Sequence, residues 1–363
     1  MTILYITYVN STDNSSGSGV RPAKMLRAFQ QEGHDIITLQ GEQVSKLRLK
    51  NIKTVRKQIK CETPDLCYIE SPTYPIIRHA DRKLIKDICN AGIPTGYFYR
   101  DFYWQFPDEF PRRTSISGRI KDKGLLFLQT LTDKVLNNCN IIYVPSDECK
   151  SLLPYKDIRS LPPAGEYHLD LIKHECNHTG IYVGGIGGYY NGRFLLDVFN
   201  ELNKRNAEYK LILVCRENEW NSFDHPCKNA SWLEIHHTSG SGLVELYKRA
   251  SVAFNVGSSE YKYSRFAISV KVFEYLSFGL PQVVINNKAI ADLVNGEKIG
   301  FAVDYDIIKY ADATEKLMND CKLYEEFQKN ITSSLLERNL WIHRVRKIVN
   351  DLSTIKNNEV QYE

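Results

Sequence analysis

The sequence lacks the features of several protein classes. Its nine cysteines never form a C-x-x-C pair, which argues against a zinc ribbon or a disulfide framework and favours free thiols. No apolar run approaches the ~18 residues that a membrane-spanning helix needs. The first residues carry no basic segment before their apolar stretch, which favours a first strand over a signal peptide. These absences predict a soluble, cytoplasmic protein.

A large charge imbalance is also missing. The 47 basic and 43 acidic side chains leave a formal net charge of +4, too small for a dedicated nucleic-acid binder. Apolar residues make up 43% and charged residues 25% of the chain, as in ordinary globular proteins with a substantial core. A length of 363 residues favours two domains.

Strand-like and helix-like segments alternate along both halves of the chain. Strands are expected at residues 2–9, 34–39, 66–69, 95–99 and 140–144, and again at 179–183, 209–215, 233–236, 252–256 and 282–285. The first helix is expected to begin at Pro22, and the polar stretch 164–178 reads as a linker. Strands separated by helices predict right-handed βαβ units and parallel sheets. The predicted fold class is therefore α/β, with two doubly wound halves.

The segment SVKVFEYLSFGLP, which begins at Ser269, contains two charges in unusual places. Ser269 is a good N-cap for a helix that ends near Gly279. Lys271 in the first turn opposes the helix dipole unless an anion is bound there. Glu274 has apolar neighbours on both sides, and a buried carboxylate needs partners. A nucleoside diphosphate satisfies both, with its phosphates at Lys271 and its ribose at Glu274. The alternative is an amphipathic helix whose two charges face solvent.

This block resembles the donor-binding motif of the GT-B glycosyltransferases, in particular the family-4-like enzymes of bacterial capsule, exopolysaccharide or glycoconjugate biosynthesis. The residues that carry the resemblance are Lys271, Glu274, Tyr275, Leu276, Gly279 and Pro281, together with residues 17–22, residues 182–185 and Trp341. The resemblance implies two Rossmann-like domains that face a central cleft. Residues 1–165 would bind the acceptor and residues 178–340 the nucleotide sugar, with a helix over 341–363 packing back on the first domain.

The resemblance implies a set of site residues. The expected donor-binding residues are Glu274, Ser269, Ile268, Arg265, Gly184, Gly185, Gly187, His237 and Ser239. The expected catalytic residues are Asp101, Arg100 and Lys271, and the expected acceptor- or sugar-binding residues are Gly17, Gly19, Arg21, Tyr103 and Trp104. No metal and no cofactor are expected.

Two departures from the family pattern stand near this site. Phe266 occupies the position of a second glutamate, and Gly185 and Asn191 replace an arginine and a lysine. Substitute cations are expected from Lys271, Arg265 and Arg193.

Asp101 follows the fourth predicted strand, whose carboxyl end should face the binding crevice. It is a candidate to orient or deprotonate an acceptor hydroxyl, or to form a hydrogen bond with the donor sugar. Arg100 would then contact a phosphate, and Tyr103 and Trp104 would lie against a sugar ring. The alternative is that Arg100 and Asp101 form a structural ion pair. Likewise, His236 and His237 are either near the nucleotide base or ordinary surface histidines.

Three other functions are less well supported. The glycines from Gly184 to Gly188 fail the dinucleotide pattern at Tyr190, which disfavours a dehydrogenase. His174, Cys176 and His178 have no fourth ligand at metal-binding spacing. The basic stretches 45–60 and 112–128 are expected to contact an anionic membrane at its inner face, unless they are only solvated helix faces.

Together these features predict a metal-independent glycosyltransferase of the hexosyltransferase type. It would move a sugar from a UDP-linked donor to a hydroxyl of a glycan on a lipid or protein carrier. The resemblance implies retention at the anomeric carbon, with inversion as the alternative if Asp101 is a true base. The alternatives are a GT-B nucleotide-sugar epimerase and a non-catalytic partner that binds sugar nucleotides or glycans. The oligomeric state is not predicted.

Overall fold

The computed structural model describes residues 1–10, 17–73, 75–109, 114–171, 175–258 and 260–360. The chain forms two compact units. The first contains Met1–Pro162 and Trp341–Glu363, and the second contains Pro163–Leu340. Each unit has one six-stranded sheet whose paired strands are all parallel, with helices between the strands. This confirms the predicted α/β class with two doubly wound halves.

The sheet of the first unit has the strand order β2-β1-β3-β4-β5-β6. Its elements in chain order are β1 (Thr2–Ile6), α1 (Gly17–Gln31), β2 (Asp35–Leu39), α2 (Lys46–Cys61), β3 (Leu66–Glu70), α3 (His79–Asn90), β4 (Thr95–Phe98), α4 (Ile116–Leu136), β5 (Ile141–Val144) and β6 (Ile158–Ser160). The central strands β1, β3, β4 and β5 are almost wholly buried, because helices cover a parallel sheet on both faces.

The sheet of the second unit has the strand order β12-β11-β10-β7-β8-β9. Its elements are β7 (Thr179–Val183), α5 (Gly192–Arg205), β8 (Lys210–Val214), α6 (Glu217–Ser222), β9 (Leu233–His236), α7 (Gly242–Arg249), β10 (Val252–Asn255), α8 (Val270–Ser277), β11 (Gln282–Ile285), α9 (Lys288–Glu297), β12 (Gly300–Val303), α10 (Ile307–Asn319) and α11 (Cys321–Ser334). The last helix, α12 (Trp341–Val360), belongs to the first unit.

The stretch predicted as a linker, residues 164–178, is instead part of the second unit. The N–H of Gly165 donates to the carbonyl of Asn339 at 2.7 Å, and the N–H of Glu166 donates to Oγ of Ser277 at 2.9 Å. A Cβ on Gly165 would lie 2.6 Å from that Oγ. The backbone at position 165 therefore approaches Ser277 more closely than a residue with a side chain would allow. The chain therefore passes from the first unit to the second at Pro162-Pro163.

The first helix also differs from its prediction. It begins at Gly17, and Pro22 lies inside it instead of at its start. The carbonyl of Pro22 accepts a hydrogen bond from the Tyr5 hydroxyl at 2.8 Å, which anchors the helix to β1. Gly17 and Gly19 consequently lie in the first turn of α1, and Gly19 is buried.

One cation of the predicted basic stretch 45–60 is an interior residue. Arg48 is fully buried, and its Nε donates to Oδ1 of Asp81 at 2.8 Å. Its Nη1 donates to the carbonyls of Thr7 and Gly41 at 2.8 and 2.6 Å. Arg48 therefore ties α2 to α3 and to the ends of β1 and β2, and it is not available to a membrane.

Candidate functional site

The loops at the carboxyl edge of the second unit's sheet form the surroundings of the candidate donor site. In doubly wound sheets, ligands bind outside the carboxyl ends of the strands. Gly184 follows β7 directly, and α8 begins at the same edge after the loop that leaves β10. Asn287 steadies that loop, because its amide donates to the carbonyl of Gly257 at 3.2 Å and accepts from the Ser264 hydroxyl at 3.1 Å.

Lys271 is held against the first of these loops. Ser269 caps α8, and its Oγ accepts from the Lys271 N–H at 3.3 Å. The Lys271 Nζ donates to the Tyr182 hydroxyl at 3.1 Å and lies 4.6 and 4.7 Å from the ring centroids of Tyr182 and Tyr190. A Cβ on Gly184 would lie 2.0 Å from this Nζ, so the lysine fits only because that position is glycine.

The Lys271 ammonium has no ion-pair partner within the described residues of the chain. Burial lowers its pKa to about 8, although the charges of Glu274 and Glu219 act in the opposite direction. A partly desolvated cation at a helix N-terminus is a favourable site for an anion, since the helix dipole and free N–H groups add to its charge.

The glycine loop after β7 contains two residues with positive φ angles. Gly184 and Gly188 have φ values of 143° and 52°, which side-chain-bearing residues rarely adopt. The carbonyl of Gly185 accepts from the Tyr182 hydroxyl at 2.6 Å, and the N–H of Ile186 donates to Oε2 of Glu219 at 3.1 Å. These contacts fix the loop in place, and nothing lies within 4 Å of a Cβ built on Gly187.

Glu274 lies one turn after Lys271 in α8 and is half-buried. Its carboxylate is close to the hydroxyl of Tyr247 in α7. Burial, and then the Glu274 charge, raises the pKa of Tyr247 well above its ordinary value. The Tyr247 hydroxyl is itself buried, so a polar side chain lies beside the Glu274 carboxylate.

The other predicted donor residues contact other parts of the second unit or are exposed to solvent. Ile268 is half-buried and packs on the apolar core, while Arg265 is exposed at the end of a 3₁₀ turn. Nδ1 of His237 lies 2.9 Å from the carbonyl of Cys215, and Ser239 is exposed. Arg193, a predicted substitute cation, lies 5.6 Å from the ring of Phe223.

His236 is partly buried and contacts a carboxylate of its own strand. Its Nε2 contacts Oε1 of Glu234 at 2.5 Å, and the same carboxylate pairs with Arg249 of α7. The hydrogen bond from Arg249, followed by that from His236, lowers the pKa of Glu234 to about 2.

In the first unit, Arg100 and Asp101 follow β4 at the carboxyl edge of the sheet. Nε of Arg100 donates to Oδ2 of Asp101 at 3.2 Å, and the backbone N–H of Arg100 donates to the Ser71 hydroxyl at 3.1 Å. Burial raises the pKa of Asp101, and the charge of Arg100 opposes that effect. The ion pair predicted as an alternative is thus present, and it places a desolvated carboxylate at the edge where ligands bind.

Tyr103 and Trp104 form a 3₁₀ turn directly after this pair. Each is 41% exposed, so both rings offer a face to solvent. Aromatic rings exposed beside a carboxylate are suited to stacking on a sugar.

Arg21 is a correction to the predicted acceptor site. It is buried, its Nε donates to both oxygens of Glu70 at 3.1 and 3.3 Å, and its Nη1 donates to the carbonyls of Leu161 and Pro162. Its guanidinium lies 3.6 Å from the ring centroid of Phe98. We therefore assign Arg21 a structural role, because internal groups engage its donors.

The sequence-based reasoning missed three residues that shape the donor side. Tyr182 and Tyr190 form the aromatic wall around Lys271, and Glu219 fixes the glycine loop. Tyr182 lies one residue before the end of β7, and Tyr190 follows the glycines of the loop after that strand. Aromatic residues on both sides of the glycines were therefore a signal in the sequence that could have identified them.

A metal site is not apparent in the part of the chain that the structure describes. No group of three or more His, Cys, Asp or Glu side chains is arranged there to hold an ion. Sγ of Cys176 contacts the carbonyl of Met318, and His178 contacts Glu208, while the third predicted candidate, His174, lies outside the described residues. Likewise, no described helix has the length and apolar character needed to span a bilayer.

Comparison with known proteins gives a family model and a fold. Residues 177–320, which lie within the second unit, match the family model "Glycosyl transferases group 1". The fold is that of the GT-B glycosyltransferases. Among curated proteins, none matches this chain.

Three solved structures with this GT-B fold align over nearly the whole chain. The α,α-trehalose 6-phosphate synthase of Burkholderia multivorans is 11% identical, with a TM-score of 0.58 and 99% of each chain covered. An α-glucosyltransferase in complex with UDP and a DNA 13-mer is 12% identical, with a TM-score of 0.59 over 97% of this chain and 99% of that one. The S. aureus MnaA–UDP structure is 12% identical, with a TM-score of 0.53 over 98% and 97%.

The burial of Lys271 has a consequence for stability. Because its folded-state pKa of about 8 lies below the 10.5 of a free lysine, folding disfavours the ammonium form. This penalty is fully present below pH 8 and disappears as the pH rises towards 10.5. We expect Lys271→Met to raise the free energy of unfolding by about 2 kcal/mol at pH 7.

Urea unfolding of wild type and variant across this pH range tests the expectation. Lys288→Met is the matched control, because Lys288 also opens a helix but is exposed and paired with Asp292. A Lys271→Met variant that is less stable than wild type at neutral pH contradicts the assignment.

Proposed function

We propose that the protein is a glycosyltransferase that uses a nucleoside diphosphate sugar, with UDP as the nucleotide. The sugar is transferred to a hydroxyl of a glycan acceptor. Lys271 supports this proposal most directly, since its ammonium has no ion-pair partner in the described chain and lies between the N-terminus of α8 and the Gly184 loop. A diphosphate is the ligand chemistry that fits a cation, a helix N-terminus and a glycine turn together.

The nucleoside end of the donor is assigned to Glu274. Two vicinal ribose hydroxyls donate to both oxygens of one carboxylate, and this charge-assisted geometry suits a half-buried glutamate. Two of the three similar structures are complexes with UDP, which supports that nucleotide. Gly185 and His237 complete the proposed donor surroundings.

In the proposed reaction the bond between the anomeric carbon and the diphosphate oxygen breaks, and a bond forms between that carbon and the acceptor oxygen. The proton of the acceptor hydroxyl passes to the departing diphosphate. Lys271 and the N–H groups at the start of α8 stabilise the charge that develops on the leaving phosphate. We propose that this replaces a metal ion and that configuration is retained. Asp101 orients the acceptor hydroxyl, and Tyr103 and Trp104 bind the acceptor sugar through their exposed ring faces.

A thermal-shift screen against UDP-, GDP- and TDP-sugars tests the donor assignment. We expect a UDP-sugar to raise the melting temperature, and the shift to vanish in Lys271→Ala. Incubation of the stabilising donor with glycan acceptors should then release UDP. Release of an isomeric nucleotide sugar without an acceptor identifies an epimerase instead, and stabilisation without turnover identifies a binding partner. No stabilisation by any nucleotide sugar contradicts the proposal.

Asp101→Asn separates the acceptor side from the donor side. We expect it to lower kcat/KM for the acceptor about tenfold, since general-base catalysis is not required and only a positioning charge is lost. Its UDP affinity should remain that of wild type, as should the activity of an Asp108→Asn control. A loss of about 1000-fold or more makes Asp101 a catalytic base and favours inversion of configuration.

A further inference from the structure

The helix α4 has an unusual distribution of apolar side chains. Ile116, Ile120 and Phe127 are 80%, 67% and 64% exposed. Ile120 and Phe127 follow Ile116 by four and eleven positions. At about 100° per residue, the three side chains therefore lie within one narrow outward-facing stripe. The buried residues of the same helix lie on the opposite side and are Gly118, Gln129, Thr132 and Leu136. The first turns of this surface helix thus depart from the usual pattern, since they carry large apolar groups on the side exposed to solvent.

The contacts of α4 show where this stripe lies. Oγ1 of Thr132 accepts from the N–H of Ile76, which precedes α3, at 3.0 Å. The amide of Gln129 donates to the hydroxyl of Tyr99, which follows β4, at 2.9 Å. Both partners mark the carboxyl edge of the sheet. From Gln129 onwards, α4 runs from that edge towards the start of β5. The turns of α4 before Gln129 therefore extend about 20 Å beyond the edge.

Cations surround this projecting segment. Arg119, Lys121 and Lys123 are exposed and have no ion-pair partner within the described residues, and Asp122 is the one acid between positions 116 and 128. The segment therefore combines exposed apolar groups with a net positive charge.

The neighbouring helix α2 presents a second set of cations. Five lysines recur at alternating intervals of four and three residues, so they form one stripe along the helix, and all are exposed. They are Lys46, Lys50, Lys53, Lys57 and Lys60. No acidic residue occurs in α2, and none of the five has an ion-pair partner in the described part of the chain. Both α2 and α4 pack against α3, which places the lysine stripe and the apolar stripe on the same side of the sheet.

We propose that this surface, formed by the outward stripes of α4 and α2, docks the protein on an anionic lipid bilayer. The exposed side chains of Ile116, Ile120 and Phe127 enter the boundary between headgroups and acyl chains, while the lysines of α2 contact the anionic headgroups. Charge complementarity favours a lipid surface as the occupant, because an apolar stripe whose flanking charges are mostly cations matches apolar chains beneath an anionic layer. The inference does not depend on the proposed transfer reaction.

The structure narrows the earlier expectation of two membrane-contacting stretches. Arg48 is excluded because it is buried, and residues 112 and 113 lie outside the described chain. The contact is carried instead by three apolar side chains of α4 and five lysines of α2.

Vesicle flotation of the full-length protein tests the apolar part of the surface. We expect wild type to float with vesicles of phosphatidylcholine mixed with phosphatidylglycerol, and to remain behind with phosphatidylcholine alone. Phe127→Glu should lower the partition coefficient at least about tenfold. Ile308→Glu is the matched control, since Ile308 is also half-exposed but lies in the second unit, and its partition should equal that of wild type.

The charged part of the surface is tested by Lys53→Glu, which should weaken binding to the mixed vesicles about tenfold. Lys322→Glu in α11 is the control and should have no effect. Melting temperatures equal to wild type establish that the variants are folded. Three results overturn the proposal. They are equal binding to neutral and anionic vesicles, unchanged binding of Phe127→Glu, and a dimer of the wild type that Phe127→Glu dissociates, which would make the surface an interface between two copies.

Discussion

Gly184→Ala is expected to reduce kcat/KM at least about 100-fold, while Gly187→Ala three positions later leaves it nearly unchanged. A Cβ at position 184 would lie 2.0 Å from Nζ and 2.2 Å from Cε of Lys271. The lysine must then leave its place between Tyr182 and Tyr190. Because its charge stabilises the leaving group, a displacement of about 1 Å lowers kcat/KM by about 100-fold.

Backbone conformation adds to this steric effect. Gly184 has a φ of 143°, which alanine adopts only under strain, so we also expect a stability loss of about 1–3 kcal/mol. Gly187 has a φ of −92° and open space around a Cβ, and it therefore provides a matched control within the same loop. Steady-state kinetics and urea unfolding of both variants measure the two effects separately. Equal activity of Gly184→Ala and Gly187→Ala contradicts the role assigned to the lysine.

Glu274→Gln is expected to weaken UDP binding about 100-fold. The substitution keeps the size of the side chain but removes the charge that accepts two ribose hydroxyls, and charge-assisted hydrogen bonds each contribute about 1.5–3 kcal/mol. Glu245→Gln is the control, because Glu245 lies on the adjacent α7, is exposed and pairs with Lys248.

A comparison of ligands makes this prediction specific to the ribose. Wild type should bind UDP much more tightly than 2′-deoxy-UDP, because the deoxy compound lacks one of the two hydroxyls. Glu274→Gln should bind the two nucleotides with similar affinity. Calorimetric titration of both ligands into both proteins measures the difference. A variant that still discriminates as strongly as wild type places the ribose elsewhere.

The strands were predictable because most of them are buried and regular. Ten of the twelve follow from short apolar runs between turn residues, and β7, β9 and β11 have the predicted bounds. The two that were missed, β6 and β12, are edge strands of three and four residues that are partly exposed. Such strands bury too little to leave an apolar pattern in the sequence.

The candidate site was predictable where charged residues occupy unfavourable positions in a helix. A lysine in the first turn of a helix and a glutamate among apolar residues conflict with ordinary helix rules, so Lys271 and Glu274 were identifiable from the sequence. The contact between Lys271 and Gly184 joins residues 87 positions apart (271 − 184), which only the fold brings together. The burial of Arg21 likewise depends on Glu70, and the sequence around Arg21 contains no sign of that partner.

Calorimetric titration of UDP into wild type, Lys271→Met and Lys288→Met tests the central claim most directly. The claim is that the Lys271 ammonium binds the donor diphosphate. We predict that wild type and the Lys288 control bind UDP with an affinity that falls as the pH rises through about 8, where free Lys271 loses its proton. Lys271→Met should bind at least about 100-fold more weakly, without that pH dependence. Equal affinity of wild type and Lys271→Met across this range, or no binding of UDP to wild type, would contradict the claim.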